Sequence, residues 1–176
     1  MIVIAIDIGV TGAVACIRHD RSSAVTDLPI ENSGILFQAE DKRLDAKALH
    51  HMLLDWVTLH DRVLLVCEDV RPRSIGNGGR PTNSMHSQGT MMRIRGGIEA
   101  VASVGCRDVK WVQPQTWKRF YGIKRDKEET EASVKERGRQ MALKLFPEHE
   151  HNLRFKYHHN RADALLMAHW GRSTQL

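Results

Sequence analysis

The chain has 176 residues, a formal net charge of +5, and hydrophobic and charged fractions of 41% and 27%. This is enough chain for one domain with a real core, and the composition is ordinary for a soluble globular protein. The positive balance favours an anionic partner, nucleic acid before membrane; no stretch has the apolar length of a transmembrane helix, and the first strand is too short and too uncharged upstream for a secretory signal, so a cytoplasmic location is expected.

The apolar run Ile2-Val3-Ile4-Ala5-Ile6 predicts a buried strand ending at Asp7, and Gly9 to Gly12 predict a turn after it. Strands over Ala13 to His19 and Ala24 to Leu28 follow, joined by the turn Asp20-Arg21-Ser22-Ser23, which makes an antiparallel meander. Residues 30–43 are polar and mixed and read as a connection. Ala46, Leu49, Leu53, Trp56 and Val57 recur at helical spacing, which predicts an amphipathic helix over 45–60. A second apolar strand, 63–69, ends in Glu68-Asp69. Residues 71–83 hold arginines, glycines and prolines without apolar periodicity and predict a flexible basic loop. A helix over 84–104 follows, then a short strand, Val109 to Val112, and a helical turn starting at Pro114. Asp126 with Glu129 resembles a capping box for a helix that buries Val134, Gly138, Met141, Ala142 and Leu145 and ends before Pro147. A histidine-rich loop, 148–158, leads to a last helix beginning near His159 or Asn160. Three meander strands and then helix-connected strands predict an α/β fold, a mixed sheet with helices on its faces.

Cys16, Cys67 and Cys106 are far apart and form no CxxC pair, so they support neither a disulfide framework nor a zinc knuckle and read as small buried hydrophobes. His50-His51, His149, His151 and His158-His159 match no zinc-ligand spacing.

The acids carry the functional signal. A carboxylate at the tip of a buried strand is costly unless a metal or a basic group offsets it. Asp7 and Glu68 both end such strands, and Asp163 interrupts an apolar helix. Three acids in these places suit two-metal phosphodiester cleavage, with ions about 4 Å apart. Magnesium needs only oxygen ligands, and manganese is expected to substitute. Glu68 and Asp69 alternate between faces of one strand, and Glu68 is favoured because its strand can lie parallel to the first with its tip at the same end. His159 lies one helical turn before Asp163 and could bind metal, orient water or contact phosphate. The bland readings are a surface acid or turn partner for Asp7, helix-end charge for Asp163, and a structural histidine for His159.

Four segments carry a family resemblance. Ile4 to Gly12 resembles the opening of RuvC-type Holliday-junction resolvases of the ribonuclease H-like superfamily. Val66-Cys67-Glu68-Asp69-Val70 resembles their second acidic motif. Val112-Gln113-Pro114-Gln115-Thr116-Trp117-Lys118, followed by Asp126-Lys127-Glu128, resembles their V-x-P, K and D-K segment. His159-Asn160-Arg161-Ala162-Asp163-Ala164-Leu165 resembles their closing A-D-A-L helix. The matches run in family order over nearly the whole chain. The resemblance implies a single nuclease domain over 1–176 with a ribonuclease H-like five-stranded mixed sheet. It implies Asp7, Glu68 and Asp163 as metal ligands, and Lys118 and Lys127 in catalysis or DNA contact. The family's fourth ligand falls on His159 or Asn160, and imidazole is the better ligand. Arg71-Pro72-Arg73 stands where cellular members often carry an aromatic residue, a departure that suits a divergent, phage-type member.

The expected activity is therefore a magnesium-dependent endonuclease that resolves four-way junctions by paired nicks as a homodimer, one site to each symmetry-related strand. Its expected phosphate footprint is Arg71, Arg73, Arg80, Lys118, Arg119, Lys124, Arg125 and Lys127. The helix over 84–104 is the candidate dimer interface through Gly96-Gly97, or an ordinary helix packed on the sheet. Another ribonuclease H-like nuclease, acting on flaps or RNA–DNA hybrids, would share the acids. A non-catalytic junction-binding module would keep the basic loop without needing them. A sugar kinase or actin-like ATPase shares the Asp-x-Gly-x-Thr-Gly turn but needs two such domains.

Overall fold

The computed structural model describes residues 1–32, 42–58, 61–71, 85–105, 109–126 and 128–175. β1 (Ile2–Asp7), β2 (Ala13–Ile17) and β3 (Ser23–Asp27) form the expected antiparallel meander. β4 (Ile30–Asn32) and β5 (Lys42–Leu44) pair antiparallel in a separate two-stranded ribbon, where only a connection was expected. Each has three residues, too few for alternation to register, and a salt bridge from Arg43 to Glu31 at 2.8 Å ties them.

α1 (Ala46–Trp56) starts at Asp45, whose carboxylate accepts from the Ala48 amide at 2.9 Å. It stops at Trp56, before the predicted end at residue 60, because Val57 is extended. β6 (Val63–Glu68), α2 (Met85–Val104), β7 (Val109–Val112) and α3 (Pro114–Phe120) follow, with Pro114 at the first helical turn. α4 (Glu131–Leu145) begins at Thr130, which accepts from the Ser133 amide, so the predicted cap at Asp126 is corrected. Asp126 and Glu129 instead close a turn, Glu129 N–H to Asp126 carbonyl at 3.1 Å. Leu145 is exposed and Phe146, just past the helix, is buried in its stead. Three short 3-10 turns (Pro147–His149, His151–Leu153, Lys156–His158) replace the expected loop and lead into α5 (His159–Gln175).

The five-stranded mixed sheet runs β3-β2-β1-β6-β7, with β1, β6 and β7 parallel. Every residue of β1 is buried, so the sheet must be covered on both faces. Alternation assigns the faces. Ile2, Ile4, Ile6, Leu65 and Cys67 pack with Leu49 and Leu53 of α1 and Ile94 and Ile98 of α2. Val3, Ala5, Ala13, Ala15 and Val66 pack with Trp117 of α3, Ala142 of α4 and Ala162, Leu165 and Leu166 of α5. The small alanines on that face admit α5 close to the strands. Cys16 and Cys67 are buried as expected, with burial pushing the Cys16 thiol up to about 11; Cys106 lies outside the described residues. Gly97, expected to permit an approach between subunits, packs instead against Leu44 of β5: a Cβ there would stand 2.9 Å from Leu44 Cδ2. Gly96 faces open space. Among the described residues, no helix is long and apolar enough to cross a membrane.

Gly12 closes the turn that ends β1. Its amide donates to the Gly9 carbonyl at 3.0 Å, and an added Cβ would fall on the Asp7 carbonyl oxygen and within 2.9 Å of the Gly9 backbone. Backbone cannot swing aside as a side-chain tip can. Gly12→Ala is therefore expected to lower stability by about 2–3 kcal/mol, an overpacking cost, in urea denaturation followed by circular dichroism. A loss under about 0.5 kcal/mol, the scale of a neutral surface change, would mean that the turn is not tightly closed.

Candidate active site

The parity that buries Val3 and Ala5 under α5 also turns Asp7 toward that helix. β6 runs parallel to β1 with Cys67 opposite Ile6, so the next residue of each strand, Glu68 and Asp7, stand side by side. Asp163 comes from α5 on the same face, and Lys118 from α3 beneath it. Lys118 Nζ lies 3.3 Å from Asp163 Oδ2 and 4.9 Å from the centre of the Trp117 ring. The structure thus brings together Asp7, Glu68, Asp163 and Lys118. The contact of Lys118 with Asp163 had no signal in the residues themselves, only in the family resemblance.

These groups titrate as a unit. Asp7 is only 8% exposed. Burial first, then the charges of Glu68 and Asp163, raise its pKa well above the ordinary carboxylate value. Asp7 and Glu68 share a side-chain hydrogen bond that raises Asp7 and lowers Glu68. Burial also raises Glu68 and Asp163; Lys118 opposes the rise in both. Burial alone would lower Lys118, but the carboxylates of Asp163, Glu68 and Asp7 outweigh it and hold the ammonium above its ordinary value. The donor set is all oxygen, suited to a hard divalent cation, and the excess negative charge is what such a cation would relieve. As placed, no three His, Cys, Asp or Glu side chains among the described residues form a metal-holding group.

Asp69 points to the opposite face. It pairs with Arg71 at 2.7 Å and with Arg95 Nη1 at 2.8 Å, and Arg95 also donates to the Val70 carbonyl and lies 3.9 Å over the Trp111 ring. This clamp behind Glu68 was not expected; Arg95 reads in sequence as an ordinary charge on a helix. His159 and Asn160 have different surroundings. Asn160 Nδ2 donates to the Thr11 carbonyl and, at 2.9 Å, to Thr11 Oγ1, pinning α5 to the β1–β2 turn. His159 lies near enough to Asp163 to lower its pKa, and its Nδ1 is 3.3 Å from the Lys156 carbonyl.

Of the expected phosphate contacts, Arg119, Lys124 and Arg125 are exposed on and after α3. Arg125 Nε donates to the Glu129 carbonyl at 3.1 Å. Arg71 is exposed but engaged with Asp69. Arg73, Arg80, Lys127 and most of the loop 71–83 lie outside the described residues.

No protein-family model matches the chain, and no curated protein matches it in sequence. Among solved structures, the fold is similar to that of Thermus thermophilus RuvC in complex with a Holliday-junction substrate: TM-score 0.52 and 14% identity, covering 99% of this chain and 97% of that one. A second structure of T. thermophilus RuvC gives a TM-score of 0.47 at 14% identity, over 98% and 96% of the two chains. The first likeness establishes a shared ribonuclease H-like fold.

The charge crowding has a measurable sign. Asp7 has a raised folded-state pKa, so above the ordinary carboxylate pKa the folded chain holds a proton that the unfolded chain releases. Stability contributed by Asp7 therefore falls as pH rises from about 4 through the raised value. Burial of His149 and His158 lowers their pKa values and acts in the opposite direction, so the informative quantity is a difference between variants. In chelator, wild type should lose melting temperature relative to Asp7→Asn between pH 5 and pH 8, with the variant the more stable at pH 8. Parallel pH profiles for the two proteins would contradict the crowding.

Proposed function

We propose that this chain is one nuclease domain over residues 1–176, a metal-dependent, structure-selective DNA endonuclease that resolves four-way junctions by paired nicks as a homodimer. The observation that carries the reading is the convergence of Asp7, Glu68, Asp163 and Lys118 at one end of the sheet. The similarity of fold to a RuvC bound to a Holliday-junction substrate supports branched DNA as the substrate class.

Asp7, Glu68 and Asp163, with His159, would hold magnesium or manganese. When bound, such ions supply an activated water and stabilise the leaving oxygen of an in-line displacement. The remaining roles belong to the chain. Lys118 balances negative charge at the acids and is placed to do the same for a phosphate between them. Asn160, held by Thr11, fixes the start of α5 and so the approach of Asp163 to the strand tips. Arg71, Arg119, Lys124 and Arg125, with Arg73, Arg80 and Lys127, grip phosphates along the arms, where salt-dependent contacts give affinity and branch shape gives selectivity.

The test is cleavage of matched four-way, flap, duplex and RNA–DNA substrates with magnesium. Wild type should cut the four-way substrate preferentially and in symmetric pairs. Asp7→Asn should cut at least ~100-fold more slowly, the scale of losing one key electrostatic stabiliser, while still binding the junction. His159→Ala should suppress cleavage and His159→Asp should restore part of it, because a carboxylate is a competent magnesium ligand. Preference for RNA–DNA hybrid or flap would move the activity elsewhere in the superfamily, and junction binding without any cleavage would make the chain a binding module.

A further inference from the structure

The last 3-10 turn, just before α5, exposes two aromatic rings that the acid site does not use. Phe155 and Tyr157 stack with centroids 5.2 Å apart and planes 11° from parallel. They are 45% and 69% exposed, a loss of potential burial that a folded chain ordinarily avoids for rings of this size. Their mounting is firm. His158 sits edge-on to both rings, at 4.4 Å from Tyr157 and 5.4 Å from Phe155, and its Nδ1 accepts from the Phe155 amide at 3.3 Å. Beneath the turn, the buried Arg139 donates to the Leu153 carbonyl at 2.7 Å and pairs with Glu136.

Cations flank the rings, and the nearby acids, Asp27 and Glu136, are each paired to an arginine. The Arg154 guanidinium lies 5.3 Å from the Phe155 centroid, Lys156 stands between the two rings in sequence, and residues 151–162 contain no acid. The turn also leads directly into the helix that carries Asp163: the Lys156 carbonyl contacts His159 Nδ1, and Asp163 lies one helical turn further on. Exposed aromatic rings with cations alongside are the chemistry that binds unpaired nucleobases, rings on bases and cations on the backbone.

We propose that the Phe155–Tyr157 pair is a stacking platform for an unpaired nucleobase of the DNA strand entering the acid site. The proposal rests on the nucleic-acid reading above and adds a second element of recognition, for bases freed at a branch point or bulge. Such a platform favours DNA with unpaired bases near the cut over continuous duplex, and it is tolerant of sequence because every base has a flat face.

The test uses the full chain in chelator, so that nothing is cut, with two oligonucleotides of equal charge. One is fully paired; the other carries an unpaired 2-aminopurine. Wild type should bind the second more tightly and quench its fluorescence on binding. Phe155→Ala with Tyr157→Ala should remove the quenching and lose about tenfold in affinity for each unstacked base, with duplex affinity and salt slope unchanged. Tyr157→Trp, which keeps a ring, should retain both, and circular dichroism checks that each variant is folded. Unaltered quenching and affinity in the double alanine variant would overturn the platform and leave the nuclease reading standing. An equal loss on both oligonucleotides would overturn it too, making the turn a general backbone contact. Weakened self-association with an unaltered response to the unpaired base would assign the rings to a contact between copies of the chain. Failure of wild type to bind either DNA would overturn the platform together with the reading it rests on.

Discussion

β1 and β6 run parallel with Ile6 against Cys67, and the position of every charge in the site follows from that pairing. Both strands end at the same edge of the sheet, so their terminal acids, Asp7 and Glu68, emerge together. Their parity turns both toward α5, where Ala5, Ala13 and Ala15 leave room for the helix to descend. Asp163 then arrives on the same face. A slip of one residue in either strand would send its acid to the opposite side, under α1 and α2, as alternation requires. The same rule places Asp69 there, in the grip of Arg71 and Arg95.

Crowding three carboxylates in a buried corner is unfavourable by itself. The chain offsets part of that cost with one ammonium, Lys118, and part with the hydrogen bond between Asp7 and Glu68. Several groups near the corner are held by partners of their own. Asn160 is bonded to Thr11, Arg161 to Asp27 at 2.6 Å, and Tyr121 to the Leu166 carbonyl at 2.9 Å. These contacts fix α5 against the sheet without adding acceptors to the corner. The residual imbalance is what the proposed function uses: a site short of positive charge is poised for a divalent cation and, through it, for a phosphate.

The strands and long helices were legible because their patterns span several residues. The β-branched run before Asp7 admits little but a buried strand, and the spacing of Leu49 and Leu53 marks α1. The β4–β5 ribbon was hidden because Ile30-Glu31-Asn32 and Lys42-Arg43-Leu44 are too short to alternate visibly. The cap of α4 was read four residues early, at Asp126, because Asp126 with Glu129 has the spacing of a capping box, whereas the side chain that accepts from the first turn is that of Thr130. Of the site, the placement of acids at strand ends could be read from the run lengths, and their shared face from period two. The ion pair of Lys118 and the clamp of Arg95 could not, since long-range partners of a surface-like cation leave no local trace. The burial of Arg139 was invisible for the same reason.

The account turns on the claim that the acids are held in mutual repulsion awaiting a cation. The direct measurement is calorimetric titration of manganese or magnesium into the chelator-stripped protein, with the melting temperature followed in parallel. Expected are saturable binding, a rise in melting temperature through linkage, and release of protons as the carboxyl groups ionise; all three signals should be lost in Asp7→Asn and Glu68→Gln. No saturable binding in wild type, or equal binding in wild type and both variants, would contradict it.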